Sequence, residues 1–140
     1  MNTSIGYYSE REDEAVLRQL SRVSASGGLL VIDMGNRDWI VRHFMSRDIS
    51  EVADSLIQLI TRTLYLESSR LENIYEYYEK KGDSLRRIAG VKLDHRVYSL
   101  HEIVRLVSET GWSYLRSFGG FSLEPCHVDS NRIILVAKKV

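Results

Sequence analysis

Hydrophobic and polar positions along this chain of 140 residues follow two different periods. Apolar residues at intervals of three and four indicate helices, whereas short apolar or alternating runs indicate strands. The patterns predict helices up to about Val23, over 37–45, at the start of 50–66 and after Ser99. They predict strands at Leu29–Asp33, Ile57–Glu67, Ile74–Glu79, Ile88–Ser99, 112–118 and 132–139. This mixture of helices and strands is typical of an α/β fold.

Two of the helix starts carry a strong local signal. Ser9 with Glu12, and Ser99 with Glu102, fit the capping box, in which each side chain accepts a hydrogen bond from the other residue's backbone. Gly111 follows the second of these helices as an expected C-cap. Acidic residues crowd the start of the first helix, where they complement the helix dipole: Glu10, Glu12, Asp13 and Glu14.

The strand that opens at Leu29 has no polar face as far as Ile32, so we expect it to be buried on both sides. In open α/β sheets, ligands bind beyond the carboxyl ends of such strands. Asp33, Asn36 and Arg37 follow this strand and are therefore candidate site residues. Asn36 or Asp38 could instead cap the next helix, with the charges solvated.

Composition excludes several classes of function. Nineteen basic residues balance nineteen acidic ones, which gives no electrostatic case for nucleic acid or an anionic membrane. Cys126 is the only cysteine, so an intrachain disulfide cannot form. No apolar run approaches the roughly 20 residues that cross a bilayer, and the histidines lack metal-ligand spacing. We expect a cytoplasmic protein that binds no metal.

The pattern predicts one domain over 1–140, with a tyrosine-rich antiparallel meander at 56–99 that turns at 81–83. Near the end of that meander, Arg96 and Tyr98 alternate with an apolar residue and so share one face of a strand. They are candidates for contact with a polar substrate. Alternatively, Arg96 pairs with a nearby carboxylate and Tyr98 packs in the sheet.

Several short motifs occur in a suggestive order from Thr3 onward: Gly6-Tyr7-Tyr8, Gly27-Gly28-Leu29-Leu30-Val31-Ile32-Asp33, Asn36-Arg37-Asp38, Arg96-Val97-Tyr98-Ser99, Thr110-Gly111-Trp112 and Gly119-Gly120-Phe121. In this order and spacing, nearly the whole chain resembles the second half of a class I S-adenosylmethionine-dependent methyltransferase. The resemblance implies a partial Rossmann-like methyltransferase fold: a mixed sheet with helices and an added antiparallel meander.

The same resemblance implies S-adenosylmethionine as cofactor, but the family's cofactor-binding N-terminal half has no counterpart here. No glycine-rich turn of the G-x-G-x-x-G kind leads from a strand into a helix. We therefore expect that this chain alone does not bind the cofactor. By resemblance Tyr7 approaches the cofactor pocket, although it could equally pack against the first helix.

The missing half bears on partners and on function. In that family a further strand lies beside the opening strand, and without it Leu29–Asp33 forms an open apolar edge that invites pairing with another chain. We expect a homo-oligomer such as a homodimer, or a separate chain that carries the N-terminal methyltransferase half. A monomer whose edge is covered by residues 1–8 or by the meander is the alternative.

Two functions follow from these expectations. The first is the substrate-side half of a methyltransferase, inactive alone. The second is a non-catalytic, self-associating binding or regulatory module descended from one.

Overall fold

The computed structural model describes residues 5–140. Two compact units are present: one runs up to His43 and resumes from Arg96 to Val140, and the other is Phe44–His95. The single domain expected over 1–140 stays a prediction. In chain order the elements are α1 (Glu10–Val23), β1 (Leu29–Gly35), α2 (Arg37–Arg42), β2 (Arg47–Ala53), β3 (Leu56–Tyr65), β4 (Arg70–Lys81), β5 (Ser84–Arg96), α3 (Leu100–Ser108), β6 (Trp112–Phe118) and β7 (Arg132–Lys139).

The starts of α1 and α3 confirm both predicted capping boxes. Ser9 Oγ accepts from the Glu12 N–H at 3.3 Å, and the Glu12 carboxylate accepts from the Ser9 N–H at 2.9 Å. Ser99 and Glu102 repeat the arrangement at 3.3 and 2.8 Å. The expected C-cap at Gly111 is wrong, because the last turn of α3 closes two residues earlier.

The first unit is built on an antiparallel sheet in the order β1-β7-β6. One face of this sheet packs against α1 and α3, and every strand contributes to the contact. Because these side chains lie on the same face at alternate positions, they form one continuous core. Its members are Leu17, Ile32, Met34, Tyr98, Ile103, Leu106, Val107, Trp112, Ile133, Leu135 and Ala137.

The predicted burial of the opening strand on both sides is wrong. Ile32 and Met34 are buried, but Leu29 is 65% exposed and Val31 is 59% exposed. Successive side chains of a strand point to opposite faces, and α1 and α3 cover only one of them. In the part of the chain that the structure describes, β1 pairs with β7 alone, so it is an edge strand rather than a central one.

The second unit is a four-stranded antiparallel sheet in the order β2-β3-β4-β5. A helix predicted at the start of 50–66 is wrong, because β2 runs through Val52 and pairs with β3. A two-residue turn joins these strands, and Ser55 within it has a φ of +60°. Val52 and Leu56 have helical spacing in the sequence but lie on opposite sides of this turn.

The turn predicted at 81–83 is confirmed, since β4 ends at Lys81 and β5 begins at Ser84. Gly82 adopts a φ of +59° there. Most side chains of the second unit are exposed or half-buried. The buried residues that the structure describes in it are Ile60, Ser69, Leu71 and Asn73. No helix among residues 5–140 is long and apolar enough to cross a membrane.

Candidate functional site

The candidate site lies where the chain leaves β1 and enters α2. The backbone N–H of Arg37, the first residue of α2, donates to the carbonyl oxygen of Tyr98 at 3.2 Å. This bond brings the carboxyl end of β1 beside the segment that precedes α3. Candidate residues more than 50 positions apart in sequence therefore meet at one end of the first sheet.

A buried carboxylate organises this end of the unit. Asp13 is only 4% exposed, and it lies one helical turn before Leu17 on the face of α1 that meets the core. Its two oxygens each accept from the Gly6 N–H at 3.1 Å, and Oδ2 also accepts from the Tyr98 hydroxyl at 2.6 Å. We call Gly6, Asp13, Arg96 and Tyr98 the Asp13 cluster.

The Tyr98 side chain is locked in its neutral form. Burial raises the pKa of Tyr98 well above its usual range, and the hydrogen bond to the Asp13 carboxylate raises it further. The hydroxyl therefore remains a donor to Asp13 rather than a proton acceptor for chemistry. The Arg96 guanidinium lies over the Tyr98 ring, 4.9 Å from its centroid, which adds a cation–π contact.

Arg96 joins both helices of the first unit. Its Nη1 lies 2.6 Å from a Glu10 oxygen on α1, and its Nη2 lies 3.2 Å from a Glu102 oxygen on α3. Burial raises the pKa of Glu102, but the Ser99 hydrogen bonds and the Arg96 and Arg37 charges outweigh it and hold that pKa below its usual value. A pairing of Arg96 with a nearby carboxylate is thus present, and its contact with a substrate stays a prediction.

Gly6 fixes the loop that carries Tyr7. Its φ is +95°, and a Cβ at this position would collide with the Arg96 carbonyl oxygen. The Arg96 N–H in turn donates to the Gly6 carbonyl at 2.6 Å. Only glycine allows this approach. Tyr7 follows Gly6 directly in the chain and is 37% exposed.

Asp33 and Asn36 make their contacts with a different part of the unit. Asp33 forms an ion pair with Arg132 at the start of β7, with 2.9 Å between Oδ1 and Nε. Asn36 caps α2 by accepting from the Asp38 N–H at 3.0 Å, and its amide donates to the Ser130 carbonyl at 2.8 Å. These contacts attach the end of β1 to the turn before β7.

The structure therefore brings Arg37, Arg96 and Tyr98 together, with only Tyr98 in contact with Asp13, and the side-chain contacts of Asp33 and Asn36 are with the turn and strand end at 130–132. The sequence interpretation missed Asp13, because it treated the acidic residues at the start of α1 as dipole partners. Asp13 lies one helical turn before Leu17, and this spacing could have indicated a buried carboxylate. A carboxylate on a buried helix face needs hydrogen-bond partners.

The Asp13 cluster offers little acid–base chemistry. Its one cation, Arg96, is paired with Glu10 and Glu102, and its one tyrosine hydroxyl donates to Asp13. Among residues 5–140, no group of three metal-ligating side chains is close enough to hold an ion. A groove of about 350 Å³ lies within the second unit, lined by residues that include Ile49, Ile57 and Leu85. It contains none of the candidate site residues.

No family model matches the chain, and no curated protein matches it significantly. Solved structures do match it. The CcbJ methyltransferase of Streptomyces caelestis aligns over 94% of this chain and 55% of its own, with a TM-score of 0.78 and 15% identity. An S-adenosylmethionine-dependent methyltransferase of Clostridium acetobutylicum aligns over 98% and 55%, with a TM-score of 0.78 and 12% identity.

A third match is CalS10, an amino pentose methyltransferase of Micromonospora echinaspora with S-adenosylmethionine bound. It covers 100% of this chain and 56% of its own, with a TM-score of 0.68 and 14% identity. The chain thus spans a little over half the length of each of these neighbours. At such identities the likeness concerns the fold alone. The chain has the fold of roughly one half of an S-adenosylmethionine-dependent methyltransferase.

Proposed function

We propose that this chain is the acceptor-side part of an S-adenosylmethionine-dependent methyltransferase and that a second polypeptide supplies the cofactor pocket. The observation that carries the proposal is the alignment of 94–100% of the chain with about 55% of three such enzymes. The Asp13 cluster gives the site a location, because the bond from the Arg37 N–H to the Tyr98 carbonyl places it beside the candidate residues that follow β1.

The described residues do not by themselves fit the cofactor. Gly35 is the last residue of β1 before α2, but it is a single glycine followed by Asn36 and Arg37 and not part of a glycine-rich turn. Gly6 precedes α1, and the Arg96 carbonyl occupies the space there. A phosphate or carboxylate cradle needs open space at successive backbone amides. The cofactor pocket is therefore assigned to the second polypeptide.

The chain's own contribution is to position the acceptor. Methyl transfer depends mainly on alignment of the two reactants, so a fixed set of donors is sufficient on the acceptor side. The Arg37 N–H bonds the Tyr98 carbonyl, and Tyr7 follows Gly6 in the chain, so these two are the residues we assign to acceptor contact. Because CalS10 acts on an amino pentose, an amino sugar is the first acceptor class to test.

The test uses methyl transfer from labelled S-adenosylmethionine to an amino pentose. The chain is assayed alone and after co-expression with an adjoining reading frame that encodes a glycine-rich strand-to-helix turn. We expect no transfer by the chain alone and transfer by the complex. Absence of transfer by a purified, stable complex across an acceptor panel would contradict the proposal.

A matched pair of variants locates the site. Arg37→Gln, at the first position of α2, is expected to reduce transfer by about tenfold or more, as loss of a positioning contact does. Arg42→Gln, at the other end of the same helix, removes an exposed ion pair with Asp129 and leaves transfer unchanged. Equal losses in both variants would place the acceptor elsewhere.

Cofactor binding by the isolated chain is tested separately. Calorimetric titration with S-adenosylmethionine is expected to give no measurable heat of binding, because no G-x-G-x-x-G turn leads from a strand into a helix in this sequence. A micromolar dissociation constant would show that the second polypeptide is not needed for the cofactor.

A further inference from the structure

We infer that the free edge of β1 pairs with β1 of a second copy of this chain, in antiparallel register about Leu30. The two three-stranded sheets then form one continuous sheet across a twofold axis. The pairing itself does not depend on the proposed function. The consequence of the pairing does rest on the proposed function. Because one strand edge accepts one partner, the homodimer excludes the polypeptide that would complete the enzyme.

The first observation is that β1 is an unguarded edge. Natural proteins protect edge strands with charged residues, prolines or bulges. From Gly27 to Ile32 the chain carries none of these, and Asp33 is the first charge. Leu29 and Val31 are 65% and 59% exposed on the face that α1 and α3 leave uncovered.

The other three edge strands of the two sheets are protected. β2 carries Arg47, Asp48 and Glu51 and has a register shift beside Glu51. β5 carries several charges along its length, and β6 has a register shift next to Arg116. Since pairing favours the edge without these features, β1 is the strand that accepts another chain.

The second observation is that β1 is self-complementary. Antiparallel pairing about Leu30 places Leu29 opposite Val31 of the second copy, and the twofold axis repeats that pair. Residues directly opposite each other share a face of the sheet. Each exposed apolar side chain thereby gains an apolar cross-strand neighbour that shields the flank it turns toward the second copy. Asp33 lies opposite Gly27 of the second copy, so no like charges meet.

The third observation is an exposed apolar stripe on α1, formed by Val16, Leu20 and Val23 at helical spacing. The opposite flank of α1 faces α3 and β6, because Glu10 lies 2.9 Å from Arg105 and Ser21 bonds the Gly111 carbonyl at 3.3 Å. The stripe therefore lies toward the β1 side of the sheet.

The stripe adds the apolar area that a strand edge alone lacks. A twofold axis perpendicular to the sheet keeps both copies of α1 on the same face, flanking the new strand pair. The two stripes then meet across the axis. Stable dimers generally bury more than a single pair of strands provides. The formal net charge of zero adds no overall repulsion between copies.

The test is the mass of the purified chain by light scattering across a dilution series, without cofactor or acceptor. We expect two chains of 16.2 kDa each at micromolar concentration. Val31→Lys is expected to raise the dimer dissociation constant by about tenfold or more, because it places a charge at each half of the interface. Val52→Lys, on β2, is the matched control and leaves the constant unchanged. Circular dichroism confirms that each variant folds.

Hydrogen exchange provides an independent readout that needs no variant. The amides of 29–33 are expected to exchange more slowly as the wild-type concentration rises, while those of β2 and β5 do not change.

A monomer at all concentrations up to about 100 μM overturns the inference, since pairing of the unguarded edge would then be too weak to matter. A dimer that is lost with Val52→Lys but kept with Val31→Lys overturns it as well. Neither result bears on methyl transfer, which is measured with the complementary polypeptide.

Discussion

The two compact units contrast in what holds them together. Every member of the core cluster belongs to the first unit, where one sheet face packs against two helices. In the second unit, ion pairs such as Glu76 on β4 with Arg87 on β5 join an outer strand to its inner neighbour, and most side chains are exposed or half-buried. Burial contributes more per residue than exposed ion pairs do. The first unit therefore determines the stability of the fold, and the second mainly presents surface.

The largest effect is expected from a truncation in the first unit's core. Ile103 is fully buried between α3 and the sheet, so Ile103→Ala should lower the free energy of unfolding by about 2–5 kcal/mol. Ile88→Ala on β5 removes the same atoms from a half-exposed site. This variant should change the free energy of unfolding by less than about 0.5 kcal/mol. Urea denaturation measures both. Similar losses of unfolding free energy in the two variants would show that the two units do not differ in how they are stabilised.

A smaller effect is expected from the buried polar contact. Tyr98→Phe leaves the buried Asp13 carboxylate without its 2.6 Å donor, which should cost about 1–3 kcal/mol. Tyr114→Phe is the control in the same unit, since its hydroxyl contacts Ser117 at the surface. The same denaturation measurement separates them. If the two variants behave alike, the Asp13 cluster does not stabilise the first unit.

The smallest effect is expected in the second unit's ion pairs. Arg87→Gln removes the 3.0 Å contact with Glu76, and because both side chains reach solvent the loss should be about 0–1 kcal/mol. The difference from wild type should shrink further in high salt, where the pair is screened. A loss that is large and independent of salt would show that these ion pairs contribute more to the second sheet than exposed pairs usually do.

Local features of this fold were predictable, and features that depend on distant neighbours were not. The capping boxes of α1 and α3 involve side chains three residues from the backbone groups they bind, so the pattern is complete within the sequence. The bounds predicted for β6 and β7, 112–118 and 132–139, are those of the structure. In contrast, the exposure of Val31 depends on which elements lie beside β1, and no pattern within the strand reveals that.

The candidate site shows the same limit. Alternation along one predicted strand singled out Arg96 and Tyr98, but the extent of that strand was wrong, because β5 ends at Arg96 and Tyr98 lies beyond it. The position of Asp13 on the buried face of α1 was visible in the sequence, but its hydroxyl partner was not, because that partner lies 85 residues away. The helix predicted near Val52 was wrong for a related reason. The apolar residues there have helical spacing in the sequence, but a turn through Ser55 separates them into two strands. Partners far apart in sequence are set by the fold and not by local spacing.

The hydrogen bond between the Arg37 N–H and the Tyr98 carbonyl has a consequence for how this architecture changes over evolutionary time. It holds together the two points of the first unit between which the second sheet is inserted. An insertion whose ends are already adjacent adds little closure entropy to its host, whatever its length. The second sheet can therefore be shortened, enlarged or exchanged in descendants while the first unit keeps its strand register. The surface of the second sheet and the stability of the first unit's core can then change independently.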